Sequence, residues 1–473
     1  MKGHSVSINL QRMRYAASDL LTTALAFFLF DICRYFIMDT GQPSLWGYLS
    51  LHKIVLEQIL IPFSLLGVYW LSGYYNSPFS KSRLEEFLQT FSAAGINCVL
   101  IYFALLINDT MPTRSLSYGL ILILFGLLFL CTYTGRLLIT AASIRHFSKR
   151  DWCFNTVIIG DSDEAISIAK RLTNSQSNLG YSVIGHLPIE GEEASSSPHE
   201  VIDQDRLDSL ISEKVIDQLI IVPQKTGDEN KVLNVLFRYF DRGVPIRIAP
   251  SSISFLTSNI RMRDIIAEPF IDLSSPSMSE WQKNLKRVAD VVISLLALIL
   301  LSPLFLVLAV AVKRSSPGPV FYRQERIGYR QKPFEIIKFR SMREDAEKDG
   351  PQVSAEGDTR ITNVGRIMRK YRLDEFPQFW NVLKGEMSLV GPRPEREYYI
   401  RQIVKEAPYY TLIHQVKPGI TSWGMVKFGY ARSVREMVER TRYDLIYLSN
   451  MSIGIDCKII LHTINTVISG KGV

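Results

Sequence analysis

Four short stretches in the last third of the chain carry residue types that handle phosphate. Gly391-Pro392-Arg393-Pro394 holds an arginine between two prolines. Each proline fixes its own backbone φ, so the guanidinium sits on a stiff segment suited to a two-pronged grip on phosphate. The same stretch also reads as a structural turn. Asp374 and Glu375 are adjacent in Arg372-Leu373-Asp374-Glu375-Phe376-Pro377-Gln378. Helix neighbours point about 100° apart, so they are no face-to-face acid–base pair. They could serve one Mg²⁺ and one nucleophile at a single locus; a lone Asp-Glu is also an ordinary solvated helix start. Lys338-Phe339-Arg340-Ser341-Met342 and Lys417-Pro418-Gly419-Ile420-Thr421 complete the set.

These stretches need something to position them, and charge points to a membrane. From Trp281 to residue 473 the net charge is +12, against −4 for the rest. Anionic lipid, phosphorylated small molecules and nucleic acid are all partners for such a surface. A hydrophobic fraction of 47% excludes a disordered or fibrous chain. The five cysteines stand far apart without a C-x-x-C, so neither a disulfide framework nor a zinc site is expected.

The first 150 residues read as membrane-spanning. Tyr15–Met38, Ile54–Leu71, Phe87–Ile107 and Leu116–Ile139 are each long enough to cross a bilayer. Lys2, Arg12 and Arg14 precede a long first span with no small-residue cleavage site, so no cleaved signal peptide is expected. Lys81, Arg83, Arg136, Arg145, Lys149 and Arg150 mark the same side as those three; Lys53 and Arg114 stand on the other. The positive-inside rule then puts both ends of this four-helix unit in the cytoplasm. Asp31 and Arg34, late in the first span, are spaced to pair or to snorkel.

Residues 151–270 read as a Rossmann-like α/β domain. Strands at Thr156–Gly160, Tyr181–Leu187, Gln218–Val222 and Pro245–Ile248 alternate with helices at Glu164–Leu172, Arg206–Lys214 and Glu229–Asp241. Gly191–Glu200 is an acidic, serine-rich loop. The dinucleotide fingerprint is poor: its glycine positions fall on Gly160, Ser162 and Ala165.

Val288–Val312 is long enough to span, yet Lys283, Lys286 and Arg287 precede it and Lys313 and Arg314 follow. Both flanks carry the cytoplasmic mark. Pro303 breaks the helix past its middle, and Ser302 can cover a freed carbonyl. The expectation is a bent, re-entrant helix over 288–312, with a kinked fifth span as the rival. At the C-terminus Ile460, Ile464, Val467 and Ile468 form an apolar helix face, for the core or for the membrane surface.

The order of Ser302-Pro303, K-F-R-S-M, L-D-E-x-P-Q, G-P-R-P and K-P-G-I-T resembles the bacterial sugar transferase family, the polyprenyl-phosphate sugar-1-phosphate transferases, over residues 281–473. The full layout resembles the long-form members. The resemblance implies a membrane protein with a four-helix transmembrane bundle (1–150), the Rossmann-like domain (151–270) and a monotopic α/β catalytic domain (271–473). Asp374 matches the family's nucleophile, and Glu375 its partner in holding Mg²⁺ and phosphate. Arg393 matches the phosphate-binding arginine. Lys338, Arg340 and Arg372 match basic motif positions, while Asp444, after Tyr443, and Asp456 match positions near the substrate. Many members read G-I-T-G-W-A-Q-V where this chain has Gly419-Ile420-Thr421-Ser422-Trp423-Gly424-Met425-Val426, a departure that bears on sugar specificity.

The implied partners are a UDP-sugar, undecaprenyl phosphate and membrane lipid, with no nucleic acid; homodimer formation stays open. The implied place is the bacterial inner membrane with the catalytic domain on its cytoplasmic face. The competing readings are a nucleotide-sugar oxidoreductase or dehydratase run by the central domain, and a non-enzymatic membrane scaffold.

Overall fold

The computed structural model describes residues 4–5, 8–38, 42–76, 78–79, 83–104, 114–149, 151–160, 162–174, 180–188, 200–222, 235, 237–239, 242, 244–249, 271–272, 278–344, 346 and 358–469. The acidic loop at 191–199 and most of the helix expected over Glu229–Asp241 lie outside these residues, as do Lys2, Lys81 and Arg150.

A short strand β1 (His4–Ser5) precedes helix α1 (Ile8–Ile37), the short α2 (Leu45–Leu49), α3 (His52–Leu71), α4 (Arg83–Ala104) and α5 (Arg114–Ser148). Four of these helices are long and apolar enough to cross a membrane. Phe27, Phe30, Leu65, Ala94, Leu120, Leu124 and Leu128 pack between them. Each of the four starts before its expected span because polar first turns continue the backbone ladder; residues 105–107, the expected end of the third span, lie outside the described residues. Asp31 and Arg34 do not snorkel. Both are buried, and Arg34 Nη1 lies 3.9 Å from Asp31 and 3.6 Å from Glu57.

A deeper network ties the bundle together near the ends of α3 and α4. Arg136 forks onto Asp19 (2.9 and 2.6 Å) and donates to Thr90. Its guanidinium lies 3.6 Å from the Tyr74 ring centroid. The Tyr75 hydroxyl donates to the same Asp19. A buried guanidinium needs such a full set of partners.

Next come β2 (Trp152–Ile159), α6 (Asp163–Asn174), β3 (Tyr181–Leu187), β4 (Glu200–Val201), α7 (Gln204–Ser212), β5 (Gln218–Ile221), β6 (Ile246–Ile248) and β7 (Ile271–Asp272). The sheet runs β4-β3-β2-β5-β6-β7, parallel up to the antiparallel β7, with β1 added beside the start of β2. Successive β2 side chains face opposite layers. Ile158 packs on Ala165, Ile168, Ala169 and Leu172 of α6, while Val157 and Ile159 pack on Leu207, Leu210 and Ile211 of α7. This double cover explains the continuous apolar run in the sequence. Each fully buried Val or Ile contributes roughly 1.5–3 kcal/mol. Leu412, far along the chain, also packs on this core.

Helices α8 (Glu280–Leu300) and α9 (Ser302–Ser315) meet at Leu301 with a 62° bend. The Ser302 hydroxyl donates to Ile299 O (2.8 Å), covering a carbonyl at the break, and Pro303 sits in the first turn of α9. There its missing N–H costs nothing. The remaining elements are β8 (Phe321–Ile327), β9 (Pro333–Phe339), α10 (Asn363–Lys370), α11 (Gln378–Lys384), β10 (Ser388–Val390), α12 (Glu397–Glu406), β11 (Gly419–Thr421), α13 (Trp423–Lys427), α14 (Val434–Ser449) and α15 (Ile453–Ile468), with a 3₁₀ segment at Pro408–Gln415. β8 and β9 form an antiparallel hairpin, and β10 pairs in parallel with β11. This C-terminal region is mixed α/β. In α15 Ile459 is fully buried, whereas Leu461, Ile464 and Ile468 are exposed.

Candidate active site

The four sequence stretches meet through backbone and side-chain bonds. Lys338 stands near the end of β9. The Asn381 side chain acts there like a strand neighbour, accepting from Ile337 N (3.2 Å) and donating to Glu335 O (2.7 Å). The loop that carries Arg393 runs along the K-P-G stretch: Gly391 N donates to Thr421 O and Gly419 N to Pro392 O, both at 3.0 Å. A Cβ at Gly391 would lie 2.3 Å from Lys417 O, so only glycine permits this approach. Asp374 and Glu375 lie on a 3₁₀ turn, Leu373–Glu375, entered through Arg372 at φ +52°. That left-handed conformation costs a non-glycine residue roughly 1–2 kcal/mol.

Glu375 is the centre of the cluster. Its carboxylate meets Lys338 Nζ at 2.9 Å, Arg372 Nη1 at 3.4 Å and Arg393 Nη1 at 3.5 Å. Burial alone would raise its pKa, but Lys338, Arg393 and Arg372 outweigh burial and hold the carboxyl well below the usual range. Asp374 behaves oppositely. Burial and the neighbouring Glu375 charge push it up, with Lys338 and Arg369 offsetting part of that rise. Among the described residues no side chain hydrogen-bonds or ion-pairs with the Asp374 carboxylate. It is 8% exposed, and its hydrogen bond comes from its own backbone amide. Four cations therefore attend two carboxylates, an excess that favours an anionic guest.

Arg393 is held on its other side by Tyr430. Nη2 donates to the Tyr430 hydroxyl at 3.0 Å, and Nη1 approaches Met425 Sδ at 3.2 Å. Its carbon lies 5.0 Å from the Tyr430 ring centroid. The Arg393 charge, working against burial, draws the Tyr430 phenol below its ordinary pKa. Asp444 lies behind the same loop, accepting from Gly424 N at 2.9 Å and from the Arg393 amide. Burial pushes its carboxyl up to about 6 despite nearby Arg440 and those donors. Glu395 is clamped by Arg440 (2.5 Å) and Arg326 (3.2 Å), which steadies the segment after Arg393.

Two expected site residues are directed elsewhere. The Arg340 guanidinium donates to Ser316 O and Pro317 O, each at 2.7 Å, bracing the exit of α9. Asp456 accepts from Tyr447 Oη and pairs with Lys286 Nζ, both at 2.7 Å, pinning α15 to α8. Tyr430 and Arg369 were missed. Arg369 stood in a readable basic run with Arg366, Lys370 and Arg372, and nothing in the spacing marks Tyr430, whereas Met425 was legible as part of the departure over Gly419–Val426.

Mg²⁺ takes few protein ligands and fills its octahedron with phosphate oxygens and water. No group of three His, Cys, Asp or Glu converges among the described residues. Adjacent Asp374 and Glu375 fit the sparser donor set. Because Glu375 already faces three cations, Asp374 is the more available ligand.

Residues 281–470 match the family model described as bacterial sugar transferase. An uncharacterized sugar transferase of Haemophilus influenzae is 30% identical over 430 residues, 84% of each chain. The chain belongs to the bacterial sugar transferase family. Two functionally named relatives match over shorter stretches. The UDP-N-acetylgalactosamine-undecaprenyl-phosphate N-acetylgalactosaminephosphotransferase of Aeromonas hydrophila is 44% identical over 40% of this chain and 44% of its own. The UDP-glucose:undecaprenyl-phosphate glucose-1-phosphate transferase of Klebsiella pneumoniae is 36% identical over 55% and 57%. The chain thus spans about half the length of these curated relatives. The family match contains the whole Lys338–Glu375–Arg393 cluster and, but for Glu280, the bent pair α8–α9.

Proposed function

We propose that this protein transfers a sugar-1-phosphate from a UDP-sugar to undecaprenyl phosphate and releases UMP, as the first membrane step of exopolysaccharide, capsule or O-antigen synthesis. The observation that carries this is a buried carboxylate without a side-chain hydrogen bond among the described residues, Asp374, beside a cation-rich cluster next to a sharply bent apolar helix pair. The names of relatives acting on undecaprenyl phosphate support it. UDP-glucose or UDP-galactose is the proposed donor.

Both reactants are anions, so Lys338, Arg372 and Arg393 offset their charge on approach. The Asp374 carboxylate oxygen attacks the sugar-bearing phosphorus. The P–O bond to UMP breaks and the electron pair leaves with UMP, giving an aspartyl phospho-sugar. An oxygen of the lipid phosphate then attacks that phosphorus, the bond to Asp374 breaks, and polyprenyl-diphospho-sugar leaves. Dividing one displacement into two is the benefit of a carboxylate nucleophile. Mg²⁺ held by Asp374 and Glu375 would neutralise charge on the phosphates.

The membrane reading follows from the same chemistry. A re-entrant α8–α9 bent at Ser302-Pro303 would hold the cluster at headgroup depth on the cytoplasmic face of the inner membrane. The exposed Lys313 and Arg314 would meet anionic lipid at about 1 kcal/mol each, whereas Lys286 and Arg287 are engaged inside the protein. Residues 1–150, 151–270 and 271–473 then act as bundle, Rossmann-like domain and catalytic domain, except that β1 and β7, on either side of those bounds, join the central sheet. The dehydratase reading is disfavoured at the central loop. Ser162 Oγ accepts from Ala165 N (3.3 Å), occupying the helix start where a pyrophosphate would sit.

The test is UMP release with undecaprenyl phosphate over a panel of UDP-glucose, UDP-galactose and UDP-N-acetylgalactosamine. Label from the donor should remain on the wild-type protein without lipid and be absent from Asp374→Asn. Absence of UMP release with every UDP-sugar of the panel defeats the transfer reading; label retained by Asp374→Asn defeats the covalent one.

A further inference from the structure

We propose that the turn Gly73–Asn76, at the end of α3, is a clamp by which the four-helix bundle holds α8 and thereby positions the strand that feeds Arg393. Three sets of contacts meet at this turn. From α1, Arg12 donates to Tyr75 O (3.0 Å) and Asn76 O (2.8 Å). From the buried network, Asp19 accepts from Tyr75 Oη (2.7 Å). From α8, Glu280 Oε2 accepts from Asn76 Nδ2 (2.8 Å), and the Asn284 amide donates to Trp70 O (2.6 Å). Asn76 Nδ2 also reaches Asn284 Oδ1 at 3.3 Å.

The fit is close as well as polar. Gly73 adopts φ +79°, and a Cβ there would lie 2.5 Å from Glu280 Cβ and 2.9 Å from its backbone carbon. The turn therefore has to be glycine for two reasons, one conformational and one steric. The polar partners are not adventitious rim contacts. Asn284 is 8% exposed, and a carbonyl at a helix end accepts its amide.

The other side of α8 grips the catalytic region. Lys286 Nζ donates to Val390 O (2.9 Å), and Asp290 accepts from Leu389 N (3.1 Å). Arg287 donates to Val382 O and Leu383 O at the end of α11. Val390 is three residues before Arg393, on the strand that enters the G-P-R-P loop. One helix is thus bolted to the bundle through Glu280 and Asn284 and to the Arg393 strand through Lys286 and Asp290. A shift of α8 moves that strand, and small misplacements of catalytic groups lower rates steeply.

The docking stands on these contacts; its link to turnover rests on the transferase reading above. The test is a polarity swap in the full-length protein in detergent micelles. Asn76→Asp sets a carboxylate against Glu280 and should lower the melting temperature by roughly 3 °C or more. Combining Asn76→Asp with Glu280→Gln restores a donor and an acceptor, so the double variant should recover. UMP release should fall about tenfold in the single variant and recover in the double one. Unchanged melting in the single variant, or a double variant as damaged as the sum of its parts, overturns the docking. Melting that falls and recovers while turnover stays constant overturns the positioning role. A wild type inactive with every UDP-sugar defeats the transferase reading, and the melting data still decide the clamp.

Discussion

Replacing Lys338 with Met tests the central cluster most directly. Lys338 and Glu375 meet at 2.9 Å with side chains 16% and 8% exposed. Removing one partner of a buried pair costs about 3–5 kcal/mol when the other charge is left alone. Here Arg372 and Arg393 stay at 3.4 and 3.5 Å, so Glu375 is not abandoned. The expected loss is therefore smaller, about 2–3 kcal/mol. At roughly 2–4 °C per kcal/mol for a region of this size, Lys338→Met should melt about 4–12 °C lower. The assay is a double-mutant cycle with Glu375→Gln, read by thermal unfolding of purified protein without added metal. Lys338→Met/Glu375→Gln removes both charges, so its loss should be smaller than the sum of the single losses by at least about 1 kcal/mol. Additivity within about 0.5 kcal/mol would refute the pairing and the electrostatic account built on it.

Arg393→Lys keeps the charge but not the fork, and should lower UMP release roughly 100-fold at unchanged melting temperature. Tyr430→Phe removes the acceptor of Arg393 Nη2 while keeping the ring beneath the guanidinium. Its kcat/KM should fall roughly 10–100-fold, the range for a hydrogen bond to a charged group. Asp444 has a raised folded pKa of about 6, so between its unfolded value and 6 the folded state binds more protons. Its contribution to stability is thus greatest at the acid end and declines as pH rises through that window. Asp444→Asn should flatten the decline between about pH 4 and 6, measured as melting temperature against pH.

The apolar spans and the α/β alternation were legible because each is a local pattern that burial enforces. Helix ends were less so: α1 and α5 extend through Arg12, Arg14, Arg145 and His146, residues that a hydropathy reading places outside a span. Strand β7 was missed because a two-residue element carries no period. In the site, Asp374, Glu375 and Arg393 stood out by type and by flanking proline. The uses of Arg340 and Asp456 could not be read. They depend on which carbonyl or lysine, dozens of residues away or more, packs against them. Tyr430 joins Arg393 across 37 residues by the same long-range folding.

Arg372 occupies backbone space where glycine would be at ease, and keeps there a cation 3.4 Å from Glu375. Selection for robustness alone would push this position toward glycine, relaxing the main chain by about 1 kcal/mol. A heat-resistance screen run without a turnover assay should therefore enrich well-folded proteins in which Glu375 has lost this cation. Backbone strain at residue 372 coexists with a cation held against a buried carboxylate.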